Sequence, residues 1–166
     1  MLESIPTARQ SRAARIIRYW MPVLLMIGLM FWFSSDSFSG DRTENMLDSL
    51  LAWLVAGLSR DDVRLVNFLV RKSAHFFEYA LLAALLYRGF RQDDPRRWRW
   101  KWAICSLGIL ASWAALDEYR QSLTETRGPS AYDVLLDISG GLSALALIAL
   151  VGRSRDRRAR KEFSEI

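Results

Sequence analysis

The chain has a single cysteine, Cys105, so no intrachain disulfide is possible and the redox compartment cannot be read from cysteine usage. Cys105 sits inside an apolar block and reads as a packing residue. Despite a net charge of +5 and a pI near 9.8, there is no aromatic-basic sheet motif and no zinc-ligand spacing, which argues against a nucleic-acid partner. The chain also has no nucleophile elbow, no phosphate-binding glycine loop and no H-E-x-x-H. Internal repeats and low-complexity linkers are missing too, so 166 residues read as one domain.

What is present is segregation. Half of the chain is hydrophobic (51%) and a quarter is charged (25%), but the apolar residues come in blocks with the charges between them. Four blocks stand out: Tyr19 to Phe33, Ala74 to Tyr87, Trp102 to Leu116 and Val134 to Val151. All but the last fall well short of the roughly 20 apolar residues that a spanning helix needs. Each must therefore take in flanking polar residues, tilt, or sit in a thinned bilayer. The run Met26 to Phe33 has no polar face, which a soluble helix would show. The basic start of the first block resembles a signal peptide, but Phe33-Ser34-Ser35-Asp36 is not a small-x-small cleavage site. It reads as an uncleaved helix with Trp20 and Trp32 near the two interfaces.

Arginine and lysine set the expected orientation. Most of the 23 basic residues fall in three segments: the N-terminal tail (Arg9 to Arg18), the loop from Arg88 to Lys101, and the C-terminal tail from Arg153 to Lys161. Four spans place all three on one side, which the positive-inside rule makes the cytoplasm. The expected architecture is all-α: an integral membrane four-helix bundle with spans at about 19–36, 68–87, 102–120 and 133–151. It is flanked by basic cytoplasmic tails at 1–18 and 153–166, the second expected to be flexible. Trp98, Trp100 and Trp102, interleaved with Arg97, Arg99 and Lys101, read as a headgroup-level anchor on the lipid bilayer. The other side receives two loops, about Ser34 to Val70 and Glu118 to Tyr132. In the first, Met46 to Leu58 is too short to span and reads as an interfacial or re-entrant helix. Ser59 and Asp62 have the spacing of a capping box, so a helix is expected to start there.

The polar residues within the spans carry the functional signal. Counting outward from Arg88 at about 1.5 Å per residue puts Glu78 near the bilayer centre, His75 further out, and Arg71 and Lys72 beyond it. The same count from Lys101 and Arg153 places Asp117, Gln121, Asp137 and Asp133 in the outer half. A lipid-facing charge at depth costs several kcal/mol, about 2.5 to 3.5 on the mildest scale, so these groups are expected to face one another or water. Their spacing agrees. Asn67, Arg71, His75 and Glu78 follow a four, four, three pattern, and Asp117 and Gln121, like Asp133 and Asp137, are four apart. One outward-open polar pocket between the second, third and fourth helices is the expectation.

Arg71-Lys72-Ser73-Ala74-His75-Phe76-Phe77-Glu78-Tyr79 resembles the RK-x-x-H-F-x-E-Y signature of the VanZ-like family. Asp117-Glu118-Tyr119-Arg120-Gln121 resembles its D-E-x-x-Q, Arg127 with Asp133 and Asp137 its following R-x-x-x-x-x-D-x-x-x-D, and Phe33-Ser34-Ser35 its F-S-S. Order and spacing agree over roughly residues 30 to 145. The family often has P-G-R before its aspartates, whereas here Gly128-Pro129 follows Arg127, so the local turn differs. The resemblance implies a bacterial inner-membrane protein with its helical domain at 19–152. The founding member is associated with low-level resistance to the glycopeptide teicoplanin, and the resemblance carries no biochemical activity or cofactor.

Three classes of function fit these residues. In the first, the outer pocket binds a cell-envelope lipid, a lipid-linked precursor or a lipoglycopeptide. Arg71, Lys72 and Arg127 then hold a phosphate or carboxylate, Gln121, Asp133 and Asp137 complete the polar lining, and Phe76, Phe77, Tyr79 and Trp113 hold the apolar part. In the second, an intramembrane enzyme acts on a lipid-linked substrate, with His75 as acid/base, Glu78 poising it, and Asp117 and Glu118 on metal or water. The third is a proton or ion pathway, for which four short helices give little room unless the chain forms a homo-oligomer. Bland readings stand beside these: His75 with Glu78 as a buried structural pair, and Arg71 or Arg127 as an ion-pair partner of Asp117, Glu118 or Asp137. His75, Glu78, Asp117 and Glu118 are also metal-ligand types, but at a spacing too weak to assign a metal.

Overall fold

The computed structural model describes residues 11–33, 59–95, 98–122 and 130–164, with the side chains of 33, 60, 121 and 156–164 excepted. The described residues form four α-helices and no strand: α1 (Arg12–Phe33), α2 (Arg60–Arg91), α3 (Trp100–Ser122) and α4 (Ala131–Ser164). The expected interfacial helix at Met46 to Leu58, the Ser34-Ser35 motif and Arg127-Gly128-Pro129 lie outside the described residues.

α2 starts at the expected capping box. Ser59 Oγ accepts from the Asp62 amide at 3.2 Å, and Asp62 Oδ2 accepts from the Ser59 amide at 3.1 Å. The Ser59 hydroxyl, donating to Asp62 Oδ2 at 2.7 Å, and then the Ser59 amide hold the exposed Asp62 carboxyl below the usual carboxylate range. The C-terminal segment differs from expectation. Instead of a flexible tail, α4 continues as a helix to Ser164. Arg, Lys and Ala are good helix formers and no glycine or proline follows Gly152, so nothing in that stretch stops a helix already nucleated.

α1 and α4 are each long and apolar enough to cross a membrane, over Arg12–Trp32 and Ala131–Arg155. Only 22% of the most apolar stretch of each is buried inside the molecule, whereas the core helix of a soluble protein would be mostly covered. α2 and α3 also turn large apolar side chains outward, with Phe77 68% and Ile104 66% exposed. An apolar surface on all four helices suits a lipid surround.

Inside, α2 packs most extensively on α4, with α3 across both and α1 laid against α2. Tyr79, Leu82, Ala83, Leu86, Leu110, Ala114 and Leu145 form the core. The α2–α4 crossing is close because Gly140 has no side chain. A Cβ there would lie 2.2 Å from the backbone carbonyl oxygen of Phe76. Gly141 likewise admits Leu110, whose Cδ1 would be 2.6 Å from an added Cβ.

α1 is tied to α2 through a missing hydrogen bond. Pro22 has no N–H for the Arg18 carbonyl one turn earlier, and the Arg88 guanidinium of α2 donates to that oxygen at 3.4 Å. The same guanidinium lies 4.9 Å from the centre of the Tyr19 ring, and the Tyr19 hydroxyl donates to Asp93 at 2.5 Å. The tryptophan series at this end is split. Trp98 stacks on Tyr87 at 5.2 Å and Trp102 is buried, which leaves Trp100, 65% exposed, as the outward anchor. The helix that begins at Trp100 rotates its neighbours inward, which alternate spacing alone does not reveal.

Candidate functional site

At the end of the bundle away from the arginine-rich segments, α2, α3 and α4 bring their ionisable side chains together. His75 Nδ1 lies 3.5 Å from Asp137 Oδ1, a long contact, with Asp137 buried and His75 partly exposed. Gly140 makes this pairing possible. It lies three residues after Asp137 on the same face of α4, so the close crossing it allows carries the first turn of that face up to His75. One turn further out, Lys72 forms a salt bridge with Asp133. Asp133 is the next step of the four-residue ladder on α4, whereas Lys72 is three residues before His75, beside the ladder residue Arg71.

α3 supplies Asp117 and Glu118. Asp117 is buried and meets Arg120 of its own helix at 3.8 Å. The Arg120 guanidinium in turn lies 3.8 Å from the centre of the Phe31 ring, so α1 covers the cluster from outside. Arg120 was not among the residues singled out from sequence. It lies in the x-x of D-E-x-x-Q, and its three-residue distance from Asp117 was the available signal. Glu118 accepts a hydrogen bond from the Ser130 amide, where the chain enters α4.

Glu78 is partly buried and within range of the charges of His75, Asp117 and Asp137. Among the described residues it is His75 with Asp137, and not His75 with Glu78, that forms the close pair. Tyr79 is 1% exposed and its hydroxyl has no hydrogen-bond partner among the described residues, though four carboxylates lie within charge range. Asp137 Oδ1 is likewise buried without a hydrogen bond. Arg71 has a partner of its own, and Asn67, one turn before it, is buried. The side chain of Gln121 and all of Arg127 lie outside the described residues. No three His, Cys, Asp or Glu side chains among the described residues are arranged to hold a metal ion.

An apolar groove of about 340 Å³ lies on α3 and α1, lined by Gly108, Ile109, Ser112, Trp113, Leu116 and Ile27. It does not contain the polar cluster. Its Trp113 lies one turn before Asp117, so the groove ends where the charged side chains begin.

No curated protein and no solved structure matches the chain. A family model described as VanZ/LLP1 matches residues 19–152, which takes in all four helices and every residue of the cluster. With a match over most of its length, the chain belongs to the VanZ/LLP1 family.

Proposed function

We propose that this protein is a multi-pass protein of the bacterial inner membrane with both ends in the cytoplasm. Its outward polar cluster binds the head group of a cell-envelope amphiphile: a lipid, a lipid-linked precursor or a lipoglycopeptide. Through that binding it contributes to glycopeptide resistance of the teicoplanin type. The observation that carries the reading is the placement of His75, Glu78, Asp117 and Asp137, from three helices, within charge range of one another inside an otherwise apolar bundle. Polar groups at such depth are costly compared with apolar packing, and they mark function far more often than fold. The groove ending one turn from Asp117 supplies an apolar surface beside the polar one, as an amphiphile requires.

A second reading is favoured by one contact. An imidazole whose Nδ1 lies 3.5 Å from a buried carboxylate, as that of His75 does from Asp137, needs only a small approach to be held with its Nε2 oriented for proton transfer. On that reading the protein is an intramembrane enzyme acting on a lipid-linked substrate.

The test is a set of single variants, His75→Ala, Glu78→Gln and Asp117→Asn, scored for envelope phenotype and for protein level in the membrane. Functional roles predict lost phenotype with protein near wild-type amount. A structural role predicts lost protein, because an orphaned partner of a buried charge costs about 3 to 5 kcal/mol. His75→Gln separates the two readings. It keeps a hydrogen-bond donor but cannot titrate near neutral pH, so a binding site partly tolerates it while acid/base chemistry falls by about 100-fold or more.

A further inference from the structure

The arginine-rich end of the bundle holds a second cluster, in the seam between α1 and α2. The segments 1–18, 88–101 and 153–166 carry four, six and six basic residues against one, two and three acidic ones, so this end is cationic over the whole sequence. Two of its guanidiniums are built into the seam. Arg18 lies 5.7 Å and Arg88 4.9 Å from the centre of the same Tyr19 ring, and Arg88 also donates to the Arg18 carbonyl. The Trp20 ring seats on Gly89 and meets Phe90 edge-on at 5.2 Å, which fixes α1 against α2 at this level.

The acidic side chains nearby are engaged elsewhere. Asp93 accepts from the Tyr19 hydroxyl, and Asp94 lies 3.7 Å from Arg99. Among the described residues neither Arg18 nor Arg88 has a carboxylate within ion-pair distance, and both are exposed. Two guanidiniums held beside one ring repel each other, and an anion in contact with both offsets that repulsion. The surface next to them is apolar. Met21 and Leu25 lie three and seven residues after Arg18 on its face of α1 and are 51% and 61% exposed. Leu81 lies seven residues before Arg88 on its face of α2 and is 50% exposed. Paired cations at the level of Tyr19 and Trp20, with exposed hydrocarbon leading away from them along the helices, match a phosphate that carries acyl chains.

We infer that the α1–α2 seam is a discrete site for an anionic phospholipid, with the guanidiniums of Arg18 and Arg88 holding its phosphate and Met21, Leu25 and Leu81 flanking its chains. The site lies at the opposite end of the bundle from the outward polar cluster and stands whether or not that cluster binds a head group. It differs from a general attraction of basic residues to the bilayer, because protein contacts hold both cations beside one ring before a lipid arrives.

The test places the full chain in phosphatidylcholine nanodiscs that contain a minor fraction of phosphatidylglycerol. Native mass spectrometry then identifies the lipid retained when the chain is released. Wild type should retain phosphatidylglycerol in preference to phosphatidylcholine, whose phosphate is offset by its own quaternary ammonium. Arg18→Gln removes one guanidinium but keeps the carbonyl to which Arg88 donates. It should lower phosphatidylglycerol affinity about tenfold and leave the unfolding midpoint in pure phosphatidylcholine unchanged. Arg88→Gln should lower the affinity as much, with a loss of midpoint as well, since it also ties α1 to α2. Arg12→Gln makes the same charge change six residues before Arg18, on another face of α1, and should keep wild-type retention. No preference for phosphatidylglycerol, unchanged retention in both Arg18→Gln and Arg88→Gln, or an equal loss in Arg12→Gln overturns the proposal and leaves a diffuse basic surface. Soluble glycerol phosphate separates sources. Failure to displace phosphatidylglycerol supports the lipid, and displacement overturns the lipid assignment in favour of a free phosphate.

Discussion

Replacing Gly140 by alanine would place a Cβ 2.2 Å from the Phe76 carbonyl oxygen and 3.1 Å from its carbonyl carbon. Ordinary C···O contacts begin near about 3.3 Å, so α2 and α4 must part by about 1 Å. The obstacle is backbone within a helix and cannot rotate away. Overpacking of this kind costs about 1 to 3 kcal/mol. A radial gap of that size also forfeits up to about half of the dispersion energy of the contacts beside it. The functional consequence is larger than the energetic one. His75 and Asp137 are already 3.5 Å apart, and a further 1 Å or so ends any direct contact between them.

Gly108 provides the control, since nothing lies within 4 Å of a Cβ added there. Gly108→Ala should be neutral or stabilising, by up to about 1 kcal/mol from helix propensity. Reversible unfolding in mixed micelles measures both, and the envelope phenotype is scored in parallel. Gly140→Ala should lose stability and phenotype together, and Gly108→Ala neither. Equal stability of the two variants would refute the argument that Gly140 sets the α2–α4 distance.

Reporters fused after Arg99 and after Arg160 should read cytoplasmic and one near Asp61 external; an external reading at Arg160 removes the four-span arrangement. The depressed pKa of Asp62 means that its cap contributes stability above the ordinary aspartate value of about 3.9 and loses it as pH falls through the lower folded value. Protection of the amides at the start of α2, relative to their intrinsic exchange rates, should therefore fall below about pH 4, and Ser59→Ala, which loses the hydroxyl but keeps the amide donor, should weaken that pH dependence. Arg88→Gln removes the donor to the carbonyl freed by Pro22 and should loosen α1 by about 1 kcal/mol, read as faster exchange in its first turns.

The parts of the fold that were legible in sequence are those set by local chemistry. The capping box at Ser59 fixed the start of α2 to the residue, and the segregation of apolar blocks from arginine clusters located four helices. The ladders on α2 and α4 told which side chains share a face, and the structure brings those faces together at His75 with Asp137, while Asp133 pairs with Lys72, the neighbour of the ladder residue Arg71. What periodicity could not supply was the pairing across helices. Glu78 is the nearer ionisable neighbour of His75 along the chain, yet Asp137 is its partner, because the register of α4 against α2 is set by the glycine contact at Phe76. Arg120 escapes periodicity for a similar reason. It reads as an exposed cation at the end of a helix until the Phe31 ring of α1 is placed over it.

The least exposed contacts of the bundle are made without charged side chains. The buried residues with the least exposure, Tyr79, Leu82, Leu86, Leu110 and Ser106, lie at the level of Glu78 or toward the arginine-rich end, where α2, α3 and α4 meet through apolar contacts. The closest approach of α2 and α4 is made by glycine, with no polar atom required beyond a backbone carbonyl. A chain selected only to fold would fill the outer half in the same way, with leucine and glycine in place of Asp117, Asp137 and Glu78. Instead it carries Asp117 and Asp137 buried, beside a buried Tyr79 whose hydroxyl has no hydrogen-bond partner among the described residues, in the place where each is hardest to accommodate. On the proposed head-group reading, a bound head group completes the hydrogen bonds left open at this end, and its binding then stabilises the folded chain by mass action.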